Sequence, residues 1–401
     1  MRILIVSPRQ CWPPLSGAKL REFFLARALG RRGALTHVFF RQPGVPPPDP
    51  EDLPLWRRLV PVPRPRPYTP SKIIRGFLGR WPLPVVNYTS REMQVALTDV
   101  LKREQFDIVH IDSIHMAAYV STIQAVTDAP IVYDWHNIES EAMRRYSAKV
   151  SSPLHKIYAA FTAERLAAVE KQALGNAFGH VVCSERERGL LQRIAPHARV
   201  AVVENGVDTR FFADAPEPLS ARRRIIFVGS LDYHANVEAA VFFSRTVWPL
   251  IRERFPEWRF TLVGSNPVPA VVALSQEKNI EVTGTVADVR PFYRQALAAI
   301  VPLRIGGGTR LKILEAMAAG VPVVSTTLGA EGLVLCPGVN VLIADKPEDW
   351  LSHLEALSVE SNLWRSLVEA GLALVQSRYD WEVLGDLLYA TYRDWLNSAN
   401  T

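Results

Sequence analysis

The run Pro302-Leu-Arg-Ile-Gly-Gly-Gly-Thr-Arg-Leu-Lys-Ile-Leu-Glu-Ala-Met-Ala-Ala-Gly-Val-Pro322 holds the residues best suited to chemistry, and the ligand that suits them is a phosphate. The apolar stretch 298–303 reads as a buried strand. Gly306, Gly307 and Gly308 then let the backbone approach a ligand closely. A helix is expected to begin near Thr309, with Arg310 and Lys312 in its first turn. Free backbone N–H groups and the positive end of the helix dipole favour an anion there, and two cations add to that preference. Glu315 follows in the next turn, placed to hydrogen-bond a sugar hydroxyl. An ordinary tight strand–helix turn is the plain alternative. The basic pair, the glutamate and the abrupt Gly320-Val-Pro stop set this run apart from it.

Other loops that follow strands carry further candidates. In the stretch from Ser7 to Arg21, Gly17 permits close approach of the backbone, and Lys19 and Arg21 supply charge or simply face solvent. His136, within Val132-Tyr-Asp-Trp-His-Asn-Ile-Glu-Ser140, sits at the carboxyl edge of a strand, where α/β proteins place site groups. His115, in Asp112-Ser-Ile-His-Met116, is a rival at another strand end. Arg144 and Arg145, a helical turn or two beyond His136, are candidates for holding an acceptor phosphate. No Asp-x-Asp pair occurs, and no His, Asp or Glu cluster has metal spacing, so no metal is expected. Leaving-group charge is then left to helix ends and cations.

Two parallel sheets are expected to position these loops. Short apolar strand candidates alternate with helical patterns in both halves, which argues for an α/β fold. The first half offers strands at 2–6, 36–40, 107–111, 131–133, 180–183 and 200–203. The second offers 225–228, 259–263, 280–283, 299–302, 323–325 and 341–343. Two Rossmann-like domains follow, 1–205 and 206–380, with ligands in the crevice between their carboxyl edges. The stretch 43–70, rich in proline, reads as an irregular insertion. A helical apolar pattern through Leu384, Leu387, Leu388, Tyr392 and Trp395 marks a last helix within 381–401.

The chain of 401 residues, 48% hydrophobic and 21% charged, has the composition of a soluble two-domain protein. No apolar run reaches bilayer-spanning length, and Met1-Arg-Ile-Leu-Ile-Val6 reads as a first strand instead of a signal peptide. Scattered Cys11, Cys183 and Cys336 form no disulfide framework and fit a reducing cytoplasm. The net charge of +6 is unevenly placed: residues 1–205 hold 28 Lys+Arg against 18 Asp+Glu, the remainder 18 against 22. The excess concentrates in 57–80, with seven cations and no acid beside Ile73, Ile74, Phe77 and Leu78. That mixture suits an anionic membrane surface or a lipid phosphate, with a solvated basic face as the plain alternative. No nucleic-acid motif accompanies it, so nucleic acid is not an expected partner.

The run 302–322 resembles the donor-binding segment of retaining, nucleotide-sugar-dependent GT-B glycosyltransferases of the family 4 (group 1) type. Val203-Glu-Asn-Gly-Val-Asp-Thr-Arg-Phe-Phe212, Phe227-Val-Gly-Ser-Leu-Asp232, Gly338-Val-Asn-Val-Leu-Ile-Ala-Asp345 and Tyr379-Asp-Trp381 also have counterparts. The resemblance implies two Rossmann-like domains facing each other across a cleft. The first is on the acceptor side, the second on the donor side, and the helix of 381–401 crosses back to the first. It implies donor contacts at Gly17, Gly229, Ser230, Gly284, Val286, Gly307, Gly308, Thr309, Arg310, Lys312 and Glu315. His136 would contact the transferred sugar and Glu315 the nucleotide ribose, and these two are carried as the catalytic pair. Gly284 and Val286 would hold the base through backbone groups, leaving UDP as the first expectation and GDP as the second. Two departures stand out. Ser230 and His234-Ala-Asn236 replace the usual Arg and Lys, and Gly307 replaces the first of two glutamates.

The function implied is transfer of a sugar from a nucleoside diphosphate donor to a lipid-linked or polysaccharide acceptor in cell-surface glycan synthesis. No cofactor is implied. The site is cytoplasmic, with peripheral contact on the inner face of an anionic membrane. A GT-B sugar-nucleotide epimerase and a non-catalytic nucleotide-sugar-binding partner are the alternatives.

Overall fold

The computed structural model describes residues 1–48, 52–213, 222–306 and 310–399. They form two compact units, Met1–Glu204 with Leu384–Thr401, and Asn205–Val383.

The sheet of the first unit has seven parallel strands: β1 (Arg2–Ser7), β2 (Ala34–Arg41), β3 (Arg58–Pro63), β4 (Ile108–Asp112), β5 (Ile131–Trp135), β6 (Gly179–Val182) and β7 (Val200–Val202). Their order is β3-β2-β1-β4-β5-β6-β7. Strands such as Ile-Val-Tyr-Asp-Trp in β5 are buried along their whole length because helices cover both faces. The strand order reverses between β1 and β4, where an open α/β sheet leaves a crevice at its carboxyl ends.

The second unit repeats the plan with six parallel strands: β8 (Arg224–Val228), β9 (Arg259–Val263), β10 (Ile280–Val282), β11 (Ala296–Val301), β12 (Val323–Ser325) and β13 (Leu342–Ile343). The order is β10-β9-β8-β11-β12-β13, with the reversal between β8 and β11. Its core runs from Ile225, Ile226 and Phe227 through Ile300 and Val301 to Trp350 and Tyr379.

One sequence expectation needs correction. The proline-rich stretch is not wholly irregular, because it contains β3, which pairs Phe39 with Pro61 and Arg41 with Pro63. A proline cannot donate to a ladder, so it survives only where one side of the strand needs no partner. β3 is the sheet edge, and both prolines are exposed there.

The last helix, Trp381–Ala399, joins the first unit from Leu384 onward. A Cβ at Gly385 would lie 2.0 Å from the Ala28 Cβ, so only glycine allows this helix to sit so close to Gly17–Arg32. Tyr392 hydrogen-bonds His110 Nδ1, and Trp395 covers bare Gly179. Leu384, Leu388 and Tyr392 are buried, whereas Leu387 is exposed.

Candidate functional site

In the second unit, the candidate residues lie in loops at the carboxyl ends of β8, β9, β10 and β11. Gly229 follows β8, and its N–H bonds Val263 O at 3.0 Å. A Cβ at Gly264 would fall 1.7 Å from Gly229 O, so glycine there lets the loops after β8 and β9 meet. Above Gly229 is the Lys312 ammonium, 3.1 Å from where a Gly229 Cβ would stand. Lys312 extends from the first turn of the helix Leu311–Ala318. Its Nζ donates to Asn236 Oδ1 at 2.7 Å and sits 4.2 Å from the centre of the Phe227 ring. Asn236 in turn donates to Ser230 O at 2.8 Å, and Ser230 Oγ donates to Asp232 at 2.6 Å. Burial brings the lysine down to about 7, against a partial lift from Glu315.

Arg310 precedes this helix instead of lying in its first turn, because its backbone (φ −87°, ψ 60°) is not helical. Its guanidinium is buried and donates to Leu328 O at 3.2 Å, and burial lowers its affinity for the proton. Gly306 has φ +110°, and a Cβ on it would lie 2.9 Å from the Ala235 Cβ. Both features demand glycine. Gly307, Gly308 and Thr309 lie outside the described residues. Glu315, one turn beyond Lys312, accepts a long 3.5 Å bond from the Tyr293 hydroxyl. Burial pushes its carboxyl up, and Lys312 offsets part of that. After β10, Gly284 adopts φ +69° with open space beside it, and half-buried Val286 follows.

In the first unit, His136 lies just past β5, and its side chain is almost enclosed. Three carboxylates surround it. Glu22 Oε1 is 3.7 Å from Nδ1, while Asp134 Oδ2 and Asp112 Oδ1 are 3.8 and 3.9 Å from Nε2. Among the described residues, neither ring nitrogen of His136 and neither oxygen of Glu22 has a hydrogen-bond partner. Arg9 Nε makes an ion pair with Glu22 at 3.1 Å. Burial pushes the Glu22 carboxyl well above its usual range despite Arg9.

The other two carboxylates are tied down. Arg21 donates to both oxygens of Asp134 at 2.7 to 3.1 Å and to Val203 O at 2.7 Å. Asp112 accepts from Ser7 Oγ and is 2.9 Å from His110 Nε2. Burial pushes Asp112 up, but His110 and His136 together hold it well below the usual carboxylate range. His110, Asp112 and Asp134 each bring one donor atom within 4.8 Å of the others. Both carboxylates are already engaged, Asp112 by His110 and Ser7 and Asp134 by Arg21, whose guanidinium places a positive charge beside the cluster.

The remaining sequence candidates divide. Gly17 opens the helix Gly17–Arg32 at an exposed position, and Lys19 reaches Gln42 at 3.2 Å. Arg21 faces inward, not to solvent or ligand. His115 bonds Ser113 at 2.6 Å, and burial lowers it to about 4. Arg144 and Arg145 are exposed and paired with Glu164 and Glu141. Glu22, Asp112 and Asp134 were missed as site groups. Their signal was a charged residue inside an otherwise apolar pattern, Ile-Asp112, Tyr-Asp134-Trp, and Glu22 between Leu20 and Phe23.

Two doubly wound parallel sheets, each with polar groups gathered at its carboxyl edge, place the chain among two-domain proteins with Rossmann-like halves. Residues 23–211 match the model of Glycosyltransferase Family 4, and residues 222–359 match that of Glycosyl transferases group 1. The chain belongs to the GT-B glycosyltransferases of this group 1, family 4 type.

An uncharacterized 44.6 kDa protein in the cps region of Klebsiella pneumoniae is 23% identical over 164 residues, 39% of this chain and 42% of that protein. A GDP-mannose-dependent monoacylated alpha-(1-6)-phosphatidylinositol monomannoside mannosyltransferase of Corynebacterium glutamicum is 25% identical over 216 residues, 48% of this chain and 55% of that one. The chain thus spans about half the length of the curated relatives it matches. The fold extends further. HepE of Anabaena in complex with UDP superposes with a TM-score of 0.66 at 14% identity, over 98% of this chain and 100% of that one.

Proposed function

We propose that the chain transfers a glycosyl group from a nucleoside diphosphate sugar to a lipid-linked or polysaccharide acceptor in cell-surface glycan synthesis, with retention of anomeric configuration. The observation that carries this reading is the Lys312 ammonium, poised over bare Gly229 at the start of a helix. A diphosphate placed there meets Lys312, Arg310 and the free N–H groups of the helix start, which stabilise the departing charge. Gly307, Gly308 and Thr309 are assigned to the donor on the sequence alone, and Ser230 stands where the family pattern has a cation. Glu315 accepts from the ribose, and backbone groups at Gly284 and Val286 hold the base. In the first unit, Gly17 faces the donor and His136 contacts the transferred sugar. Arg144 and Arg145 are the weaker acceptor candidates.

UDP is the preferred nucleotide, supported by the UDP bound to the similarly folded HepE. The GDP-mannose named for the Corynebacterium relative keeps GDP in the test. No cofactor or metal is assigned, since Lys312 and Arg310 supply the charge. No described helix is long and apolar enough to cross a membrane. The proposed location is the cytoplasm, peripheral to the inner face of the membrane.

One observation favours a second reading. Glu22, buried beside His136 with its carboxyl pushed well above the usual range despite its ion pair with Arg9, is an acid of the kind an epimerase would use for proton transfer. A thermal-shift screen of UDP- and GDP-sugars, followed by incubation of the best binder alone with excess EDTA, separates the readings. Slow release of nucleoside diphosphate that survives EDTA is expected for the transferase. An isomerised, intact nucleotide sugar would establish the epimerase. Binding with neither change, with or without acceptor, would leave a non-catalytic binder.

A further inference from the structure

The first unit carries an apolar surface that its own fold does not cover. Two helices build it, Pro70–Leu78 and the start of Pro153–Asn176. Ile74, Phe77 and Leu78 recur at helical spacing on the first, and Leu154, Ile157 and Phe161 on the second, so each set lines one face. All six are exposed, Leu78 to 85%, Leu154 to 79% and Ile157 to 67%. The two sets join where Phe77 stacks on Phe161, ring centres 5.8 Å apart. Arg165 fixes the junction by donating to the carbonyls of Gly76, Phe77 and Gly79 at the end of the short helix. The patch is therefore held in shape, and its apolar side chains point outward from a braced corner.

Its surroundings choose the occupant. The sequence has no Asp or Glu between 53 and 91, nor between 142 and 163. Arg64, Arg66, Arg75, Arg80 and Lys156 are exposed in those same stretches. Lys72 is not among them. It is buried and donates to Asn87 O at 3.0 Å, so it braces the helix instead of presenting charge. Glu164, exposed three residues past Phe161, is the next acid on the long helix and is paired with Arg144 at 3.1 Å, so the apolar side chains are rimmed chiefly by cations, which suits the headgroup region of an anionic bilayer. A second copy of the chain would bring the same cations face to face, which opposes self-association through this patch.

We infer that this corner docks the protein on an anionic lipid bilayer, inserting Ile74, Phe77, Leu78, Leu154 and Ile157 among the headgroups. The inference deepens the reading of a lipid-linked acceptor. Ser140, four residues past His136, bonds Glu170 on the same long helix. Phe161 and Leu154 are nine and sixteen residues before Glu170, or about 14 and 24 Å along the helix axis. The docked face and the level of Glu170 are thus about 14 to 24 Å apart along this helix.

Vesicle sedimentation tests the inference without donor or acceptor, so it fails or succeeds apart from the transferase reading. Vesicles of phosphatidylglycerol and phosphatidylcholine should bind the full chain at low salt, and pure phosphatidylcholine at least tenfold more weakly. Ile74→Ser with Leu154→Ser should lower partitioning at least tenfold. Replacing Arg64, Arg66, Arg75 and Arg80 by Gln should do the same and remove most of the salt dependence. Both variants should keep the parent's thermal shift with UDP, which shows that the fold and the donor site are intact. Three results would each overturn the inference: no binding by the parent at low salt, unchanged binding by the apolar variant, or a parent dimer that the apolar variant converts to monomer.

Discussion

Lys312 and Asn236 are partners across 76 positions of sequence, Nζ to Oδ1 at 2.7 Å, and this bond holds an ammonium over the bare backbone of Gly229. Where relatives carry an Arg and a Lys in the loop after the first strand of this domain, this chain has Ser230 and His234-Ala-Asn236. Asn236 is thus a pivot as well as a replacement. Its amide bonds Ser230 O on one side and receives Lys312 on the other, so the lysine is held beside the loop that lacks those two cations.

A lysine lowered to about 7 makes donor binding depend on pH. Below that value Lys312 is already charged and affinity should be flat. Above it, a bound diphosphate must first draw in a proton, so affinity should fall by up to about tenfold per pH unit. Calorimetric titration with UDP in buffers of different ionisation heat should register proton uptake at pH 8 and little at pH 6. Lys312→Met should remove the proton uptake and weaken UDP by about 1–3 kcal/mol. The same substitution should raise stability at pH 6, where the folded parent buries a charged lysine. The unfolded lysine holds its proton longer than the folded one, so the parent gains stability as pH rises above 7, and the advantage of Lys312→Met should shrink by pH 9. Parent and variant melting temperatures that run parallel from pH 6 to 9 would refute the account.

Glu22 supports a second expectation. Its folded carboxyl is raised, so the folded state holds a proton that the unfolded state releases. Stability from this group is present at low pH and lost as pH rises above the ordinary carboxylate value. Glu22→Gln should flatten that part of the pH–stability curve and raise the melting temperature at pH 8. In the proposed reaction, its carboxyl faces His136 Nδ1 and helps set the ring's orientation. Glu22→Gln should then lower turnover about tenfold or more at unchanged donor KM, and should move the pH profile. A stabilised variant with the parent's turnover and pH profile would make Glu22 a bystander.

Much of this was legible in the chain itself, for physical reasons that also mark where legibility ends. Strands buried on both faces are largely apolar, so β11 and the Ile-Leu-Ile-Val stretch of β1 stand out as unbroken runs. β3 escaped because its alternating prolines read as punctuation, and only its position at the sheet edge makes them tolerable. Gly229 was identifiable as a bare approach point, but the burial of Lys312 was not, since Asn236 and Phe227 come from distant positions. Periodicity also misled at Leu387. The last helix meets the first unit through the narrow stripe Leu384, Leu388 and Tyr392, with Gly385 pressed against Ala28, and Leu387 is left outside. Arg21 could be read as facing solvent, and Glu22 beside it drew no reading at all, although both are buried.

The Arg21–Asp134 pair separates support from chemistry within that cluster. Arg21 is 1% exposed and donates to both oxygens of Asp134, and it also holds the carbonyls of Val203 and Glu204. It therefore ties the helix Gly17–Arg32 to β5 and to the end of the chain's first stretch in this unit. Asp134→Asn leaves the guanidinium buried without its counter-charge, which should cost about 3–5 kcal/mol. Arg21→Met with Asp134→Leu removes both charges and should recover a substantial part of that loss, because the desolvation of two ions disappears together. Hydrogen exchange of β4 and β5 reports on this unit separately from the other and locates the loss. Exchange there should accelerate in Asp134→Asn and slow again in the double variant. UDP binding, assigned to the second unit, should survive in both. A double variant as unstable as Asp134→Asn would mean that the two hydrogen bonds to the Val203 and Glu204 carbonyls, and not the ion pair, hold this part of the fold.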